Sequence, residues 1–286
     1  MASQHEIDVM RLAIMLSARG VGTTSPNPPV GCVVLDAHGE IAGTGYHERK
    51  GEPHAEAHAL AAAGERARGG TAVVTLEPCN HTGRTPACRQ ALLDAGVARV
   101  VIALIDPTSR GEGGAAVLRG AGVDVEVGVL AEEARLVLGD YLTTIVTKRP
   151  IVTWAYPMDG YAIDEATLCE LRAAVDVFIR ADGRVQEAMA DSHGKDILRL
   201  PEELHTTDVD QSMKVLFEGG VRSVLLLGPS ALGDAWLSSG VVDRVVMYAS
   251  IAGPAPAWTG PEGFVLSAIT RTDRCLRAEL ARPGLS

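Results

Sequence analysis

The chain is poor in aromatic residues and short of basic charge. Phe, Trp and Tyr make up 4% of its 286 residues, so alanine, valine and leucine must provide most of the core. Lysine and arginine number 26 against 36 acidic residues, which gives a formal net charge of −10. Nucleic-acid-binding proteins usually carry clustered basic residues, so this composition disfavours a nucleic-acid partner. We expect a small-molecule ligand instead.

Cysteines are few, and long apolar runs are missing. The five cysteines, at positions 32, 79, 88, 169 and 275, are too few and odd in number for a disulfide framework in a chain of this length. No apolar run reaches the roughly 18 residues of a membrane span, and the first residues lack the hydrophobic region of a signal peptide. We therefore expect a cytoplasmic protein without a membrane partner, in a reducing compartment that keeps thiols free for metal binding.

Apolar runs and alanine-rich stretches alternate along the first half of the chain. This alternation predicts an α/β sandwich around a mainly parallel sheet. The predicted strands are residues 30–35, 41–46, 71–76, 100–105 and 124–127, and the predicted helices are residues 5–19, 54–66, 86–95, 113–121 and 131–147.

The second half begins after a Lys-Arg-Pro segment at residues 148–150. Further apolar runs follow at residues 151–156, 175–179, 224–227 and 244–248. We therefore predict two domains, residues 1–147 and residues 150–286, the second a separate and smaller α/β domain.

Residues of the types that bind zinc occur in three fragments of the first domain. His54 is followed by Glu56, Cys79 comes after a Glu-Pro pair, and Cys88 lies nine positions further on. A His-x-Glu with a later Pro-Cys and a second cysteine is the arrangement found in zinc-dependent nucleoside-type deaminases. His54, Cys79 and Cys88 would supply three ligands and leave the fourth tetrahedral position to water. Glu56 would be a non-ligand carboxylate that acts as general acid and base.

A purely structural zinc site is the main alternative. Such a site usually has four protein ligands, and His81 is the candidate for the fourth. A thiolate-rich ligand set favours zinc over harder divalent cations in either case. The presence of Glu56 favours the catalytic interpretation, because a structural site has no need for a carboxylate beside the metal.

Four segments together resemble the bifunctional riboflavin-biosynthesis deaminase/reductase family, over about residues 5–150. The gap of eight residues between Cys79 and Cys88 is part of the resemblance, since cytidine and tRNA-adenosine deaminases usually have two residues there. The segments are residues 24–31 (Thr-Ser-Pro-Asn-Pro-Pro-Val-Gly), 45–47 (Gly-Tyr-His), 51–56 (Gly-Glu-Pro-His-Ala-Glu) and 75–88 (Thr-Leu-Glu-Pro-Cys-Asn-His-Thr-Gly-Arg-Thr-Pro-Ala-Cys).

This resemblance implies a fold, a substrate and its contacts. It implies a cytidine-deaminase-like three-layer α/β/α sandwich followed by a truncated, dihydrofolate-reductase-like α/β domain. The substrate would be 2,5-diamino-6-ribosylamino-4(3H)-pyrimidinone 5′-phosphate, which would lose its ring amine as ammonia. By the same resemblance Asn27 would hydrogen-bond the pyrimidine, His47, His81 and Arg84 would surround the ribose phosphate, and Asp106 would contact the sugar or base.

Two further residues of the first domain qualify this resemblance. Thr108 stands where the family has an asparagine after its Asp-Pro pair, which leaves room for a related heterocycle as substrate. Glu77 is expected to be structural and to accept hydrogen bonds from nearby backbone donors.

The second domain departs from the family at the residues implied to carry the reduction. Ala155 stands near the place of a lysine, residues 180–185 lack a Gly-x-x-Thr-Val pattern, and residues 226–229 read Leu-Leu-Gly-Pro instead of Glu-Gly-Gly-Pro. These departures imply that NADPH is not bound and that the reductase activity is lost. The domain would then persist for packing, as in a homodimer or higher homo-oligomer, and a separate reductase would be needed.

Three alternatives stay open at this point. Both activities could be retained, with the reductase site rebuilt from other residues. The protein could be a deaminase of a related amino-heterocycle in secondary metabolism. It could also be a non-catalytic zinc protein, against which Glu56 argues.

Overall fold

The chain forms two compact α/β units, Met1–Ile145 and Val146–Ser286. They are seen in a computed structural model that describes residues 1–81, 87–109, 111–158, 161–180, 182–190, 192–193, 197–204, 208–229, 231–252 and 260–283. The second unit is slightly shorter than the first. In the part of the chain that is described, no helix has both the length and the apolar character needed to cross a membrane.

The first unit contains five strands and five α-helices in the described residues. They follow the alternation predicted from the sequence. In chain order they are α1 (Gln4–Ser17), β1 (Gly31–Leu35), β2 (Ile41–Tyr46), α2 (Ala55–Ala63), β3 (Thr71–Leu76), α3 (Cys88–Ala95), β4 (Arg99–Leu104), α4 (Gly114–Gly120), β5 (Asp124–Val127) and α5 (Ala131–Thr147).

The five strands form one mixed sheet in the order β2-β1-β3-β4-β5. Strand β1 pairs antiparallel with both β2 and β3, whereas β3 with β4 and β4 with β5 are parallel. The expectation of a mainly parallel sheet was therefore wrong for the first two strands. A turn of a few residues joins β1 to β2, and so short a connection permits only antiparallel pairing.

Helices cover both faces of this sheet, which gives three layers. Gly31 of β1 lies against α1, where a Cβ atom would come within 2.0 Å of the Ala13 carbonyl oxygen. Gly45 of β2 pairs with Cys32, which points to the opposite face of β1 from Gly31. A Cβ on Gly45 would lie 2.5 Å from the carbonyl oxygen of Ala55 in α2. Helix α2 therefore lies directly against the outer strand, on the other face from α1.

The second unit has seven strands in one sheet and three helices among its described residues. Its elements are β6 (Ile151–Pro157), α6 (Glu165–Ala173), β7 (Val177–Ile179), β8 (Val185–Glu187), α7 (Val209–Glu218), β9 (Ser223–Leu227), α8 (Ala231–Ser238), β10 (Arg244–Ser250), β11 (Val265–Arg271) and β12 (Cys275–Ala281). The strand order is β11-β12-β10-β6-β9-β7-β8, with the four strands from β10 to β7 parallel and the outer strands antiparallel.

A buried ion pair anchors the start of the second sheet. The Arg149 guanidinium donates two hydrogen bonds of 2.6 Å to the Asp243 carboxylate, which is fully buried. The same carboxylate accepts a 2.9 Å hydrogen bond from the backbone N–H of Val152 in β6. Asp243 precedes β10, so its side chain joins the beginnings of two neighbouring parallel strands. Apolar clusters cover both faces of this sheet.

Candidate metal centre

Two connections that follow strands of the first sheet bring the predicted ligands together. His54 is the residue immediately before α2, with extended backbone angles (φ −72°, ψ 166°). Cys79 lies just beyond the end of β3, and Cys88 is the first residue of α3. Because Gly45 has no side chain, α2 can approach the sheet closely. The position of α2 in turn determines the position of His54. The ligand positions therefore follow from the packing of α2 and α3.

The three predicted ligands form one compact group. Among the described residues, His54, Cys79 and Cys88 each offer a ligand atom, and all three atoms lie within 4.8 Å of one another. His54 Nδ1 is 3.3 Å from Cys88 Sγ and 3.8 Å from Cys79 Sγ. Tetrahedral zinc with ordinary Zn–S and Zn–N bond lengths would separate a sulfur and a nitrogen ligand by roughly 3.6 Å. The group therefore has the size of a zinc site.

The protonation of the sulfurs also suits a cation. A hydrogen bond from the Cys88 thiol, followed by one from His54, lowers the pKa of Cys79 to about 4 despite its partial burial. The backbone N–H of Cys88 donates to the same sulfur over 3.2 Å. The pKa of Cys88 is raised in turn, because its proton is held in the hydrogen bond to Cys79 and the residue is buried. The two sulfurs thus share one proton, which a divalent cation would displace.

Glu56 lies beside this group but is not part of it. Its side chain is buried, with 3% of the residue exposed, in the first turn of α2. Burial raises the pKa of Glu56, and the nearby His54 only partly opposes this effect. The Cys88 sulfur lies next to the carboxylate. A buried carboxyl group with a raised pKa next to a metal-binding group is suited to accepting and returning a proton near neutral pH.

The two remaining candidates on the loop after β3 have different outcomes. His81 is exposed, and the compact group of ligand atoms in the described residues does not include it. The possibility that His81 closes the site as a fourth ligand therefore has no support from its position. Arg84, predicted to bind phosphate, lies outside the described residues.

Asn27 and His47 are neighbours, together with a lysine that sequence reasoning missed. Asn27 Nδ2 lies 3.1 Å from His47 Nε2, and Lys50 Nζ donates to Asn27 Oδ1 over 3.0 Å. His47 Nδ1 lies 3.1 Å from the carbonyl oxygen of Pro53, and its ring packs edge-on against His54 with 5.1 Å between centroids. Burial lowers the pKa of His47 to about 4. The phosphate contact predicted for His47 stays a prediction. The only sequence signal for Lys50 was its place in the loop between His47 and His54.

Asp106 and Glu77 lie at the neighbouring strand ends. Asp106 is partly exposed after β4, and its Oδ1 accepts hydrogen bonds from both the backbone N–H and the hydroxyl of Thr108, at 2.8 and 2.7 Å. Glu77 is buried and accepts from the backbone N–H of Ala115 at 2.9 Å and of Asp106 at 3.3 Å. The prediction that Glu77 satisfies backbone donors is therefore confirmed.

Residues 3–104 match the family model of the cytidine and deoxycytidylate deaminase zinc-binding region. A riboflavin biosynthesis protein RibD from Aquifex aeolicus is 50% identical over 161 residues, which cover 54% of this chain and 45% of that protein. The chain thus matches less than half of that relative's length. RibD from Mycobacterium tuberculosis is 36% identical over 295 aligned positions, covering 87% of both chains.

Similarity in structure extends over both units. The crystal structure of a diaminohydroxyphosphoribosylaminopyrimidine deaminase/5-amino-6-(5-phosphoribosylamino)uracil reductase from Thermotoga maritima superposes with a TM-score of 0.79 at 25% identity. The superposition covers 97% of this chain and 99% of that one. The second unit therefore keeps the framework of the corresponding half of that structure.

Proposed function

This chain belongs to the RibD family of riboflavin-biosynthesis proteins, and from that premise we propose that its first unit deaminates 2,5-diamino-6-ribosylamino-4(3H)-pyrimidinone 5′-phosphate by hydrolysis. The observation that carries the proposal is the position of Glu56, buried against Cys88 beside the group formed by His54, Cys79 and Cys88. A non-catalytic zinc protein would not require this carboxylate. The reducing cytoplasm predicted from the cysteines suits a site with two thiol ligands.

His54, Cys79 and Cys88 would hold the metal ion. Their spacing, and the single proton shared by the two sulfurs, fit a zinc ion with one position left for a non-protein ligand. When bound, zinc would supply the Lewis acidity that lowers the pKa of a water molecule to about 7.

Glu56 would carry the protons of the reaction. Its raised pKa allows the carboxylate to accept a proton from the attacking water and then to act as an acid. The same proton would go to a ring nitrogen as the water oxygen bonds to the ring carbon. Glu56 would then take the second proton from the hydroxyl group on that carbon and pass it to the amine, which would leave as ammonia as the C–N bond breaks and the carbonyl forms. Burial in the first turn of α2 holds the carboxylate in place and keeps bulk water from it.

The substrate contacts are part of the same proposal. Asn27 would hydrogen-bond the heterocycle, and Asp106 at the end of β4 would contact the sugar or base. His81, exposed after β3, and Arg84 in the same loop would bind the phosphate, Arg84 as a bidentate donor. His47 is buried with both ring nitrogens near hydrogen-bond partners, so we assign it to the support of Asn27.

We also propose that the second unit no longer reduces the product with NADPH. In open α/β sheets, nucleotides bind beyond the carboxyl ends of the parallel strands. Near this edge of the second sheet the Trp154 indole is 5% exposed and donates to the carbonyl oxygen of Gly228, which follows β9, at 2.9 Å. Helix α8 packs onto the same ring so closely that a Cβ on Gly233 would lie 2.7 Å from it. Ala155, which stands near the place of the family's lysine, is fully buried in β6. Together with the other departures in sequence, this supports the loss of NADPH reduction, and a separate reductase would be required.

An oligomeric role for the second unit would explain its retention. Strand β11 lies at the edge of the sheet among the described strands, and three of its apolar side chains are 43–62% exposed. These side chains are Val265, Leu266 and Ile269. Exposed apolar edges commonly become protein interfaces. We propose a homodimer or higher homo-oligomer, which sedimentation of the purified protein would detect.

One assay tests both halves of this proposal. Zinc-loaded protein is given the diaminopyrimidine phosphate and NADPH, and ammonia release and NADPH absorbance are followed together. We expect ammonia from the wild type, release that is slower by about 10²–10⁴ from Glu56→Gln, and no NADPH oxidation by either. Oxidation of NADPH would refute the loss of reductase activity, and absence of ammonia from zinc-loaded wild type would refute the assignment of the substrate.

A related amino-heterocycle is the second candidate substrate. The observation that favours it is the pair of hydrogen bonds from Thr108 to Asp106, which occupy a carboxylate oxygen at a position where the resemblance implies an asparagine. A larger kcat/KM for another phosphorylated or free aminopyrimidine in the same ammonia assay would favour this candidate.

A further inference from the structure

A chain of three contacts connects Lys50 to the loop that carries His54. Lys50 Nζ is 3.0 Å from Asn27 Oδ1, and Asn27 Nδ2 is 3.1 Å from His47 Nε2. His47 Nδ1 is in turn 3.1 Å from the carbonyl oxygen of Pro53, the residue before His54. Asn27 and Lys50 are both partly buried, and His47 is only 2% exposed. The chain of contacts therefore lies largely out of water, where mismatched donors and acceptors are costly.

The groups at the two ends of this series of contacts, Lys50 and the Pro53 carbonyl, each allow only one hydrogen-bonding pattern. An ammonium group can donate but cannot accept, so Lys50 requires the oxygen of the Asn27 amide on its side. The amide nitrogen must then face His47, whose Nε2 has to accept. At the other end, the Pro53 carbonyl can only accept, so His47 must carry its proton on Nδ1. The two requirements agree with each other.

We propose that Lys50 is a positioning residue, which, through Asn27, fixes both the orientation of that amide and the Nδ1–H tautomer of His47. Lys50 acts as a donor in this role, not as a charge that binds the substrate phosphate. Asn27 is the residue that touches the substrate, and His47 supports it from the opposite side.

The hydrogen-bond donor and acceptor of Asn27 that Lys50 and His47 do not use specify the kind of ring edge that Asn27 can bind. Within the part of the chain that the structure describes, His47 uses one amide N–H and Lys50 uses one lone pair of the oxygen, so one N–H and one lone pair remain for a ligand. A lactam edge, with a ring N–H next to a carbonyl, complements this donor–acceptor pair. A pyrimidinone offers such an edge, so this part of the inference rests on the proposed function. A reversed amide would set donor against donor and acceptor against acceptor.

The tautomer of His47 can be measured without any substrate. In zinc-loaded protein labelled with ¹⁵N-histidine, long-range ¹H–¹⁵N correlation spectra distinguish Nδ1–H from Nε2–H rings. We expect the Nδ1–H form for His47 in the wild type and in Lys50→Arg, and a mixture of tautomers in Lys50→Glu, where an acceptor replaces the donor. An Nε2–H ring in the wild type would overturn the proposal, even in a protein that shows no deaminase activity.

Kinetics separate the donor role of Lys50 from a role of its charge. Lys50→Gln is uncharged but can donate, whereas Lys50→Met can do neither. We expect Lys50→Met to raise KM about tenfold, the usual effect of losing one hydrogen bond, with kcat and zinc content unchanged. Lys50→Arg and Lys50→Gln should restore KM to within about threefold of the wild type. A KM for Lys50→Gln as high as that for Lys50→Met would overturn the proposal, because charge would then be the property that matters.

Arg49 provides the matched control. It is the adjacent cation in the same loop, it is exposed, and its guanidinium lies 3.8 Å from Glu52. Arg49→Met removes the same charge one residue away, and we expect its KM to equal that of the wild type. An equal rise in KM for Arg49→Met and Lys50→Met would show a general electrostatic effect of the loop and would contradict the positioning role. Failure of every protein, including the wild type, to release ammonia would instead refute the proposed function, while the His47 spectrum would still decide the inference.

Discussion

His54 Nδ1 lies 3.3 Å from Cys88 Sγ, although the two residues are 34 positions apart in the chain. Two helix starts create this contact: His54 immediately precedes α2, and Cys88 opens α3. Both helices lie on the same side of the first sheet and pack against each other. The candidate metal centre is therefore a product of helix packing, and disturbing either helix start should affect metal binding and catalysis together.

Replacement of Glu56 should separate catalysis from metal binding. Glu56→Gln keeps the shape of the side chain but removes the proton acceptor, so we expect turnover to fall by about 10²–10⁴ while zinc content stays the same. Thermal stability should be equal or slightly higher, because a buried carboxyl group with a raised pKa is replaced by a neutral amide. Ammonia release and metal analysis of the same preparation provide the check. Loss of zinc from this variant would mean that Glu56 is a ligand.

Replacement of a ligand residue should instead lower the zinc content. Cys88→Ser removes a sulfur that lies close to both other ligands, and we expect the purified variant to retain less than about a tenth of the zinc of the wild type. Cys169→Ser is the control, since Cys169 is exposed on α6 in the second unit. Metal analysis after dialysis against a weak chelator would compare the two variants. Equal zinc content in both would contradict the assignment of Cys88.

The approach of α2 to the sheet should be sensitive to one methyl group. A Cβ on Gly45 would lie 2.5 Å from the Ala55 carbonyl oxygen and 2.6 Å from the Ala59 nitrogen, and neither backbone atom can yield without moving the helix. We expect Gly45→Ala to lower stability by about 1–3 kcal/mol. It should also lower kcat by about 10², because His54 and Glu56 shift with the helix.

Gly139 offers a contrasting site for the same substitution. It lies within α5, and nothing would stand within 4 Å of an added Cβ. Gly139→Ala should raise stability by about 0.5–1 kcal/mol through helix propensity and leave activity unchanged. Denaturant unfolding and the ammonia assay would test both variants, and similar behaviour of the two would show that α2 does not depend on close contact with β2.

A network around Arg99 should make the stability of the first unit depend on pH. The Arg99 guanidinium contacts Glu6 in α1, Asp124 and Glu126. Burial raises the pKa of Glu6, but hydrogen bonds from Ser3 and Arg99 outweigh it, so its pKa lies below the ordinary 4.5. Burial also raises the pKa of Glu126, but this effect is outweighed, mainly by the hydrogen bond with Arg99. The pKa of Glu126 therefore also lies below the ordinary 4.5.

The sign of the effect follows from these lowered pKa values. Both carboxylates stabilise the folded state at pH values above about 4.5, and the contribution is lost as the pH falls through their lower pKa values in the folded protein. Arg99→Met should therefore cost about 2 kcal/mol at pH 7, and the difference from the wild type should shrink towards pH 3. Denaturant unfolding at a series of pH values would measure it. A difference that stays constant with pH would contradict the network.

Local patterns in the sequence were enough to predict the ligands but not every neighbour. His54, Cys79 and Cys88 could be named in advance because zinc chemistry restricts both residue type and spacing. The role of Glu77 was also predictable, since a buried carboxylate at a strand end must accept from nearby backbone groups. Lys50 was missed because nothing local distinguishes a lysine that reaches back to Asn27 from one in solvent. The pairing of β1 was missed because periodicity reports burial, not strand direction.

A substitution in the ion pair between Arg149 and Asp243 should lower the stability of the second unit. All the described contacts of the Asp243 side chain are made to residues of that unit, and the carboxylate is fully buried. Asp243→Asn leaves a partly buried guanidinium without its counter-charge, and loss of one partner of a buried pair costs up to about 3–5 kcal/mol. We expect a lower unfolding midpoint, with deaminase activity retained wherever the variant is still folded. If the second unit serves assembly, the sedimentation coefficient should fall as that unit unfolds, while ammonia release per zinc persists. Parallel loss of ammonia release and of the assembled form would show instead that deamination requires the second unit, and its retention would then have a catalytic reason.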